Sequence, residues 1–294
     1  MAAGDTTTQS LADSLPTVIA SARQIREQEG VVPNLVDKVT LGEGTGVSWN
    51  EVSMAQLTAQ TVTETTRLDN PQQMSDTLLT ITPTVVGIHT LITDRVAARI
   101  SKNAYAKVGS LAQNAIQRKK DEDGLTAIDG ASLTIGSSGS ALTTGMIAAA
   151  VSRISSDADE PGNPPYRAVL HGFQIKDLYD AVASISSGNP PSQGLTDGLS
   201  ARVFQEGFRG RIHNCEIFED GNITISSNAC KGGIFAQEAL ILVQGRSPRT
   251  ETRREPHIGG GSTSVFLYDE YAYGERSAGN WLFEVETDAT LPTT

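Results

Sequence analysis

At 294 residues the chain is long enough to bury a full core without disulfides or a structural metal, as one large domain or two intertwined ones. A net charge of −11 argues against gripping a phosphate backbone through a basic face. No apolar run reaches membrane-spanning length, and the polar Met1 to Gln9 stretch does not read as a signal peptide.

The first nine residues have no periodicity and read as a mobile tail. A short amphipathic helix is expected next, with Pro16 in its first turn, Leu15, Val18, Ile19, Ala22 and Ile25 on one face, and Gly30 as its stop. Val31 to Val36 is a brief apolar segment around Pro33, and Gly42, Gly44 and Gly46 mark a loop before a strand at Val47 to Val52. Thr58 to Thr82 alternates apolar and polar residues on either side of Asp69-Asn70-Pro71, which predicts a two-stranded hairpin. Two strands alone are marginal in water, so this arm is expected to lie on another copy of the chain.

Val85 to Ile92 predicts a return strand, and Thr93-Asp94 offers an N-cap with a first-turn acid. A long spine helix should follow, with Val96, Ile100, Ala104, Val108, Leu111 and Ala115 as its stripe, Arg118 to Lys120 in its last turns and Gly124 as its end. The Gly/Ser run between Leu125 and Leu142 signals a crossing into a second module that reads α/β. That module has a helix at Thr144 to Ser155, a Pro/Gly loop at Glu160 to Pro165, a strand at Tyr166 to His171 and a helix at Phe173 to Ile185. A loop tip at Ser186 to Ser200 follows, then strands at Arg211 to Phe218, Ile223 to Ser226 and Ala239 to Gln244. Paired strands at Arg249 to Arg254 and Val265 to Tyr273, and a last strand at Trp281 to Val285, close the chain.

Catalytic and ligand signatures are weak. The Gly42/Gly44/Gly46 spacing lacks the strand-turn-helix of a dinucleotide site, and no phosphate loop, nucleophile elbow or HExxH run occurs. His89, His171, His213 and His257 are scattered, and His171 reads as a packed or hydrogen-bonded residue. The acidic runs Asp121 to Asp123 and Asp157 to Glu160 lack calcium-loop spacing and read as solvated helix ends. Cys215 and Cys230 have no CxxC partner and read as reduced, buried small hydrophobes, with a mutual disulfide as the minority alternative. Arg246, Arg249, Arg253 and Arg254 alternate with Glu251 and Glu255, a pattern of cross-strand or intersubunit pairing.

Charge is unevenly spread: Met1 to Ile92 holds four basic and ten acidic residues, whereas Thr93 to Gly124 holds seven basic and four acidic. An acidic arm meeting a basic helix of a neighbour is therefore expected. Glu64, Arg67, Asp69 and Asp76 are the arm residues expected at that contact, and Arg95, Arg99, Lys102 and Lys107 are their spine-helix partners.

Taken in order, these parts resemble the tailed-phage major capsid proteins of the Hong Kong 97 type. The resemblance is carried by SLPTVIASARQIREQEGVVPNLV, by VLHGFQIKDLYDAV with its strand-then-helix entry, by GGIFAQEALILV and by the ending EYAYGERSAGNWLFEVETDA. It implies an α+β capsid fold with an N-arm (1–46), an E-loop and flanking strands (47–92), and a peripheral domain with the spine helix (93–142). An axial domain (143–245) and C-terminal peripheral strands (246–294) complete it. It further implies a non-enzymatic shell protein that assembles with itself into pentamers and hexamers of an icosahedral head around double-stranded DNA. Implied partners are a portal and a separate scaffold or cement protein, with the DNA enclosed but not read; no cofactor and no membrane are implied. The place is the virion, after assembly in a host cytoplasm. No long helical segment precedes the N-arm, so no fused scaffolding domain is expected. No lysine lies between Val39 and Ser101, so the lysine-to-asparagine cross-link of some relatives is not expected either. An encapsulin-like compartment is the rival that shares the fold, and a cytoplasmic α/β enzyme the rival of another class.

Overall fold

The computed structural model describes residues 28, 30–69, 71–99, 104–178, 211–276 and 279–292. Its elements begin with α1 (Val32–Leu35), β1 (Asp37–Thr40), β2 (Trp49–Met54), β3 (Asp76–Ile81), β4 (Thr84–Thr93), α2 (Asp94–Arg99) and α3 (Ala104–Asp129). β5 (Thr134–Gly136), α4 (Thr144–Ser155), β6 (Tyr166–Leu170) and α5 (172–178) follow. The chain ends with β7 (Arg211–Ile212), β8 (Cys215–Glu219), β9 (Ile225–Ser226), β10 (Ala229–Ala236), β11 (Leu240–Glu255), β12 (Ser262–Glu275) and β13 (Leu282–Asp288). The expected amphipathic helix before Gly30 and the loop tip at Ser186 to Ser200 lie outside the described residues.

The strands form three sheets. One runs β1-β11-β12-β4, a second is built from β5-β13-β10-β6-β8-β7 with β9 on the free part of β10, and β2-β3 form a separate ribbon. β10 is the centre of the second sheet. It pairs antiparallel with β13 and β6, and seven of its eight residues are buried. A strand buried on both faces loses its polar alternation, and here adjacent glycines, Gly232-Gly233, interrupt the apolar run as well. For that reason the sequence pattern gives no strand at 229–236.

One apolar core serves both large sheets. Val32 and Leu35 of α1, Leu125 and Ile128 of α3, Ile147 and Ile154 of α4, Ile234 and Phe235 of β10, Leu240 and Leu242 of β11, and Phe283 and Val285 of β13 belong to a single cluster. Helix α4 has the expected bounds: Thr143 Oγ1 accepts from Met146 N, and Ile147, Ala150, Val151 and Ile154 recur at helical spacing on the buried face.

The spine helix departs from its expected form. Gly124 does not end it; α3 runs on to Asp129. A Cβ at position 124 would sit 2.6 Å from Val32 Cγ1 and 3.1 Å from the Tyr273 ring, so this glycine allows α1 and β12 to approach the helix. The buried stripe is Ala112, Ile116, Lys120, Asp121, Leu125 and Ile128, whereas Leu111 is exposed. Asp121 is therefore not the solvated helix-end residue expected from the sequence, and Lys120 is buried beside it. Lys120 Nζ lies 2.6 Å from Asp269 Oδ2 and 4.7 Å from the Tyr271 ring centre, and both charged side chains are almost fully buried.

Other strand expectations merge or split. The strands expected at Ala239 to Gln244 and Arg249 to Arg254 are one strand, β11, broken only by register shifts on either side of Arg246. Pro248, which has no N–H to give the ladder, lies within the second irregular stretch. Conversely, Arg211 to Phe218 is a hairpin of β7 and β8, turned by His213 and Asn214 at φ 46° and 65°.

Replacing Lys120 with Met would leave the Asp269 carboxylate buried without its cation, a change expected to cost about 3–5 kcal/mol. Denaturant unfolding should show that loss, and adding Asp269→Leu should recover most of it. A single variant as stable as the parent would mean the pair contributes nothing to the fold.

Candidate intersubunit surfaces

The extended ribbon begins earlier in the chain than its sequence pattern predicts. Its arms are β2 and β3, paired from Trp49–Ile81 to Met54–Asp76, so the strand expected at Val47 to Val52 is the outgoing half of the hairpin. The stretch around Asp69 and Pro71 is the irregular tip, not a tight turn between two strands within Thr58 to Thr82. Ala55 N donates to Ser75 O at 2.9 Å as the ladder ends. Beyond it the Gln72 side chain takes the place of a strand, accepting from Thr58 N and donating to Thr58 O, both at 2.9 Å.

The root of this arm is fixed to the body in two ways. Trp49, Leu79 and Ile81 pack on Ile241 and Val243 of β11, with Val39, Leu41 and Ala272 around them. Arg276, just after β12, donates from Nε to Glu51 Oε2 (2.8 Å) and from Nη1 to Asp37 Oδ2 (2.6 Å) and the Glu238 carbonyl (3.2 Å). One guanidinium thus joins β1, β2 and the turn before β11, and its planar fork suits that convergence. Gln56 also donates to the Asp159 carbonyl, across a cleft of about 420 Å³ beneath the arm that Leu78, Leu79, Glu275 and Trp281 help to line.

Away from its root the arm buries little. Val52, Met54, Leu57, Val62, Leu68, Met74 and Leu78 are each more than half exposed. With Val47 they make eight of the twelve large exposed hydrophobics among the described residues. Scattered exposed apolar residues are ordinary, but their concentration on one thin ribbon marks a surface that another molecule covers.

Glu64, Arg67, Asp69 and Asp76 are exposed on this arm, and none has an ion-pair partner among the described residues. Arg95 is exposed on α2, and Arg99 ends that helix. Lys102 lies outside the described residues, and for Arg99 and Lys107 the backbone alone is described. Among the described residues no ion pair joins Arg95 to the arm's acids.

The Arg-rich half of β11 pairs locally. Arg249 lies 3.5 Å from Glu251, Arg253 3.0 Å from Glu255, and Arg246 3.5 Å from Glu270 across the ladder. Arg254 forks the Asp94 carboxylate at the start of α2, and this bond holds the Asp94 carboxyl below the usual carboxylate range. Arg254 and Asp94 thereby tie the end of β11 to the first turn of α2.

No group of three or more His, Cys, Asp or Glu side chains among the described residues is placed to hold a metal ion. His171 follows β6 and accepts from Phe173 N at 3.2 Å through Nδ1, and burial lowers its pKa. His89 stacks on Phe266 with ring centres 4.4 Å apart. Cys215 and Cys230 are free and buried, and burial pushes both thiols up to about 12. No described helix is long and apolar enough to cross a membrane.

Sequence reasoning did not find the Arg276 clamp or the buried charges of α3. Arg276 is 225 residues from Glu51 and 239 from Asp37, so no local spacing announces it.

No family model matches the sequence, and no curated protein is detectably similar to it. Solved structures are similar in fold. The cyanophage Pam1 capsid structure superimposes with a TM-score of 0.74 at 10% identity, covering 99% of this chain and 100% of that one. The head structure of Helicobacter pylori bacteriophage KHP40 gives 0.71 at 12% identity over 92% and 95%. A structure from Mycobacterium phage Che8 gives 0.67 at 16% identity over 92% and 96%. The chain has the α+β fold of phage capsid proteins, the Hong Kong 97 type.

Replacing Arg276 with Met leaves Asp37 and Glu51 facing each other at the arm's root without their shared cation. The loss should be about 1–3 kcal/mol in denaturant unfolding, and Asp37→Asn with Glu51→Gln in the same chain should restore part of it. An unchanged midpoint in the single variant would show that apolar packing alone holds the arm.

Proposed function

We propose that this chain is the major capsid protein of a tailed phage, assembling with itself into pentamers and hexamers of an icosahedral head that encloses double-stranded DNA. The observation that carries this reading is a capsid-like fold over 99% of the chain together with an arm whose apolar residues stay exposed among the described residues. In this reading 1–46 is the N-arm, 47–92 the E-loop with its flanking strands, and 93–142 the peripheral part with the spine helix. Residues 143–245 form most of the axial part, and 246–294 return to the periphery. β13 qualifies that last boundary, because it pairs with β10 and β5 of the second sheet.

The protein acts by binding copies of itself, not by catalysis. Portal, scaffold or cement proteins are its further partners, and the packaged DNA is enclosed without sequence readout, in keeping with the net charge of −11. Its place is the virion, after assembly in the host cytoplasm. Glu64, Arg67, Asp69 and Asp76 of the arm meet Arg95, Arg99, Lys102 and Lys107 of a neighbour's spine helix. Each pair is weak alone and screened by salt, so these charges guide association more than they hold the finished shell.

Negative-stain imaging and light scattering of the purified chain should show closed particles or rings of five and six. Replacing residues 57–73 with Asn-Gly should keep the circular dichroism of the folded chain while abolishing particles. A monodisperse 31 kDa species from the intact chain would sink the reading.

Charge reversal, Arg99→Glu with Lys102→Glu, should slow assembly and flatten its dependence on ionic strength. An unaltered rate and salt slope would remove these residues from the arm contact. Boiled particles run without reductant should give one band near the monomer mass, because both thiols are buried and the arm has no lysine. A ladder of boiling-resistant oligomers would show covalent links.

A further inference from the structure

Where α3 passes the start of α1 and the turn after β8, two carboxyl groups meet out of reach of water. Asp121 and Asp220 both have no exposed surface, and one residue, Asn222, bridges them, giving its side-chain amide to Asp121 and its backbone N–H to Asp220. Asp121 Oδ1 accepts from Val32 N at 3.0 Å, and its Oδ2 accepts from Asn222 Nδ2 at 2.9 Å. Asp220 accepts from Asn222 N at 2.9 Å and lies 3.5 Å from Val31 N. Three distant segments therefore close on this pair: 30–32, the middle of the spine helix, and the β8–β9 turn. The fit is tight, since a Cβ at Gly30 would fall 2.3 Å from Asp121 Cγ, and the Gln28 side chain lies against Gly221.

Two ionised carboxylates do not share such a place easily without a cation, and among the described residues the lysines of α3 and β10 are engaged elsewhere. Lys120 pairs with Asp269, Lys119 with Asp123, and Lys231 with Asp129 and Glu284. The other charged groups on these elements are acids, Glu122 and Asp123 on α3 and Glu219 on β8, and the Tyr273 hydroxyl of β12 is spent on the Lys120 carbonyl. His171 senses Glu219 and Asp220, but its own burial favours the neutral ring.

We propose that Asp121 and Asp220 form a proton-operated latch: one shared proton fastens the segment 30–32 to the spine helix and to the β8–β9 turn, and losing that proton drives the carboxylates apart and frees the segment. Burial raises the Asp121 pKa to about 7, and the nearby Asp220 charge adds to the rise. The sign follows from linkage. A carboxyl with a raised pKa in the closed state is held best at low pH, loses hold as pH climbs from its ordinary value near 4, and changes no further above about 7. The device sits at residues 30–32, so it would set when that segment is docked. It does not depend on what the chain assembles into.

Hydrogen exchange of the Val31 and Val32 amides in the full-length chain reads the latch directly. After correction for intrinsic exchange, their opening should rise on the order of a hundredfold between pH 5 and pH 8. Amides of β10 should not follow. Asp121→Asn keeps an acceptor for Val32 and gives Asp220 a permanent donor, so its opening should be low and flat with pH; Asp220→Asn is the equivalent test should the first variant fold poorly. Both retain His171, and a slope surviving in them would assign the effect to the histidine and overturn the latch. A parent chain without pH dependence would overturn it too, as would protection at pH 8 that a chelator abolishes, since a cation would then be the fastener.

Discussion

The structure depends on one imbalance: a two-stranded ribbon that exposes a row of large apolar side chains, mounted on a body that is well packed without it. A ribbon of this kind cannot shield both its faces, and the Trp49, Leu79 and Ile81 contacts cover only its root. The Arg276 clamp on Glu51 and Asp37 fixes the direction in which the arm leaves. Holding the root and leaving the tip uncovered lowers the ordering cost when a second surface arrives. The arm therefore functions as a presented binding element, and the core supplies its rigidity.

The body is organised around a polar seam as much as an apolar core. Helix α3 crosses both large sheets and carries Lys120 and Asp121 into its buried face, where a simple amphipathic helix would place apolar residues. Lys120 meets Asp269 on β12, and Tyr271 and Tyr273 donate to Asp123 and to the Lys120 carbonyl. Pairings of this type add less stability than apolar side chains of equal volume, yet they tolerate only one register. A long helix lying across two sheets has many nearly equivalent apolar registers. Lys120 and Asp121 each meet a partner held by another element, Asp269 of β12 and the Val32 N–H of α1, and so tie the helix to both.

Local rules carried far where an element's own residues decide its form. Helix α4 kept its expected bounds because cap and apolar spacing agree, and the return strand at Val85 to Ile92 is the middle of β4. They failed where tertiary contact overrides the local signal. Gly124 looks like a stop but is a point of close approach for Val32 and Tyr273, and β10 is hidden by its central position and its two glycines. The hairpin was legible as an arm but not in its strand limits, because Asp69-Asn70-Pro71 is a turn signal inside a long tip. Among candidate contact residues, the exposed arm charges were visible from alternation and charge bias. Arg276, Asp269 and Asp220 were not, since Glu51 and Asp37, Lys120, and Val31 respectively lie more than a hundred residues from them.

On the capsid reading, the distribution of strong and weak contacts has a consequence for assembly. Buried thiols and an arm without lysine leave non-covalent contact as the source of shell cohesion. An arm docking on a different surface of its neighbour is a heterologous contact, and such contacts close into rings when their rotation permits. Closure then makes many modest interfaces cooperative, since one subunit leaving must break its own arm contact and release its neighbour's. The individual interface can therefore stay weak enough for misplaced copies to leave, while the closed ring holds. An exposed arm and a well-packed body meet those two demands with different parts of the same chain.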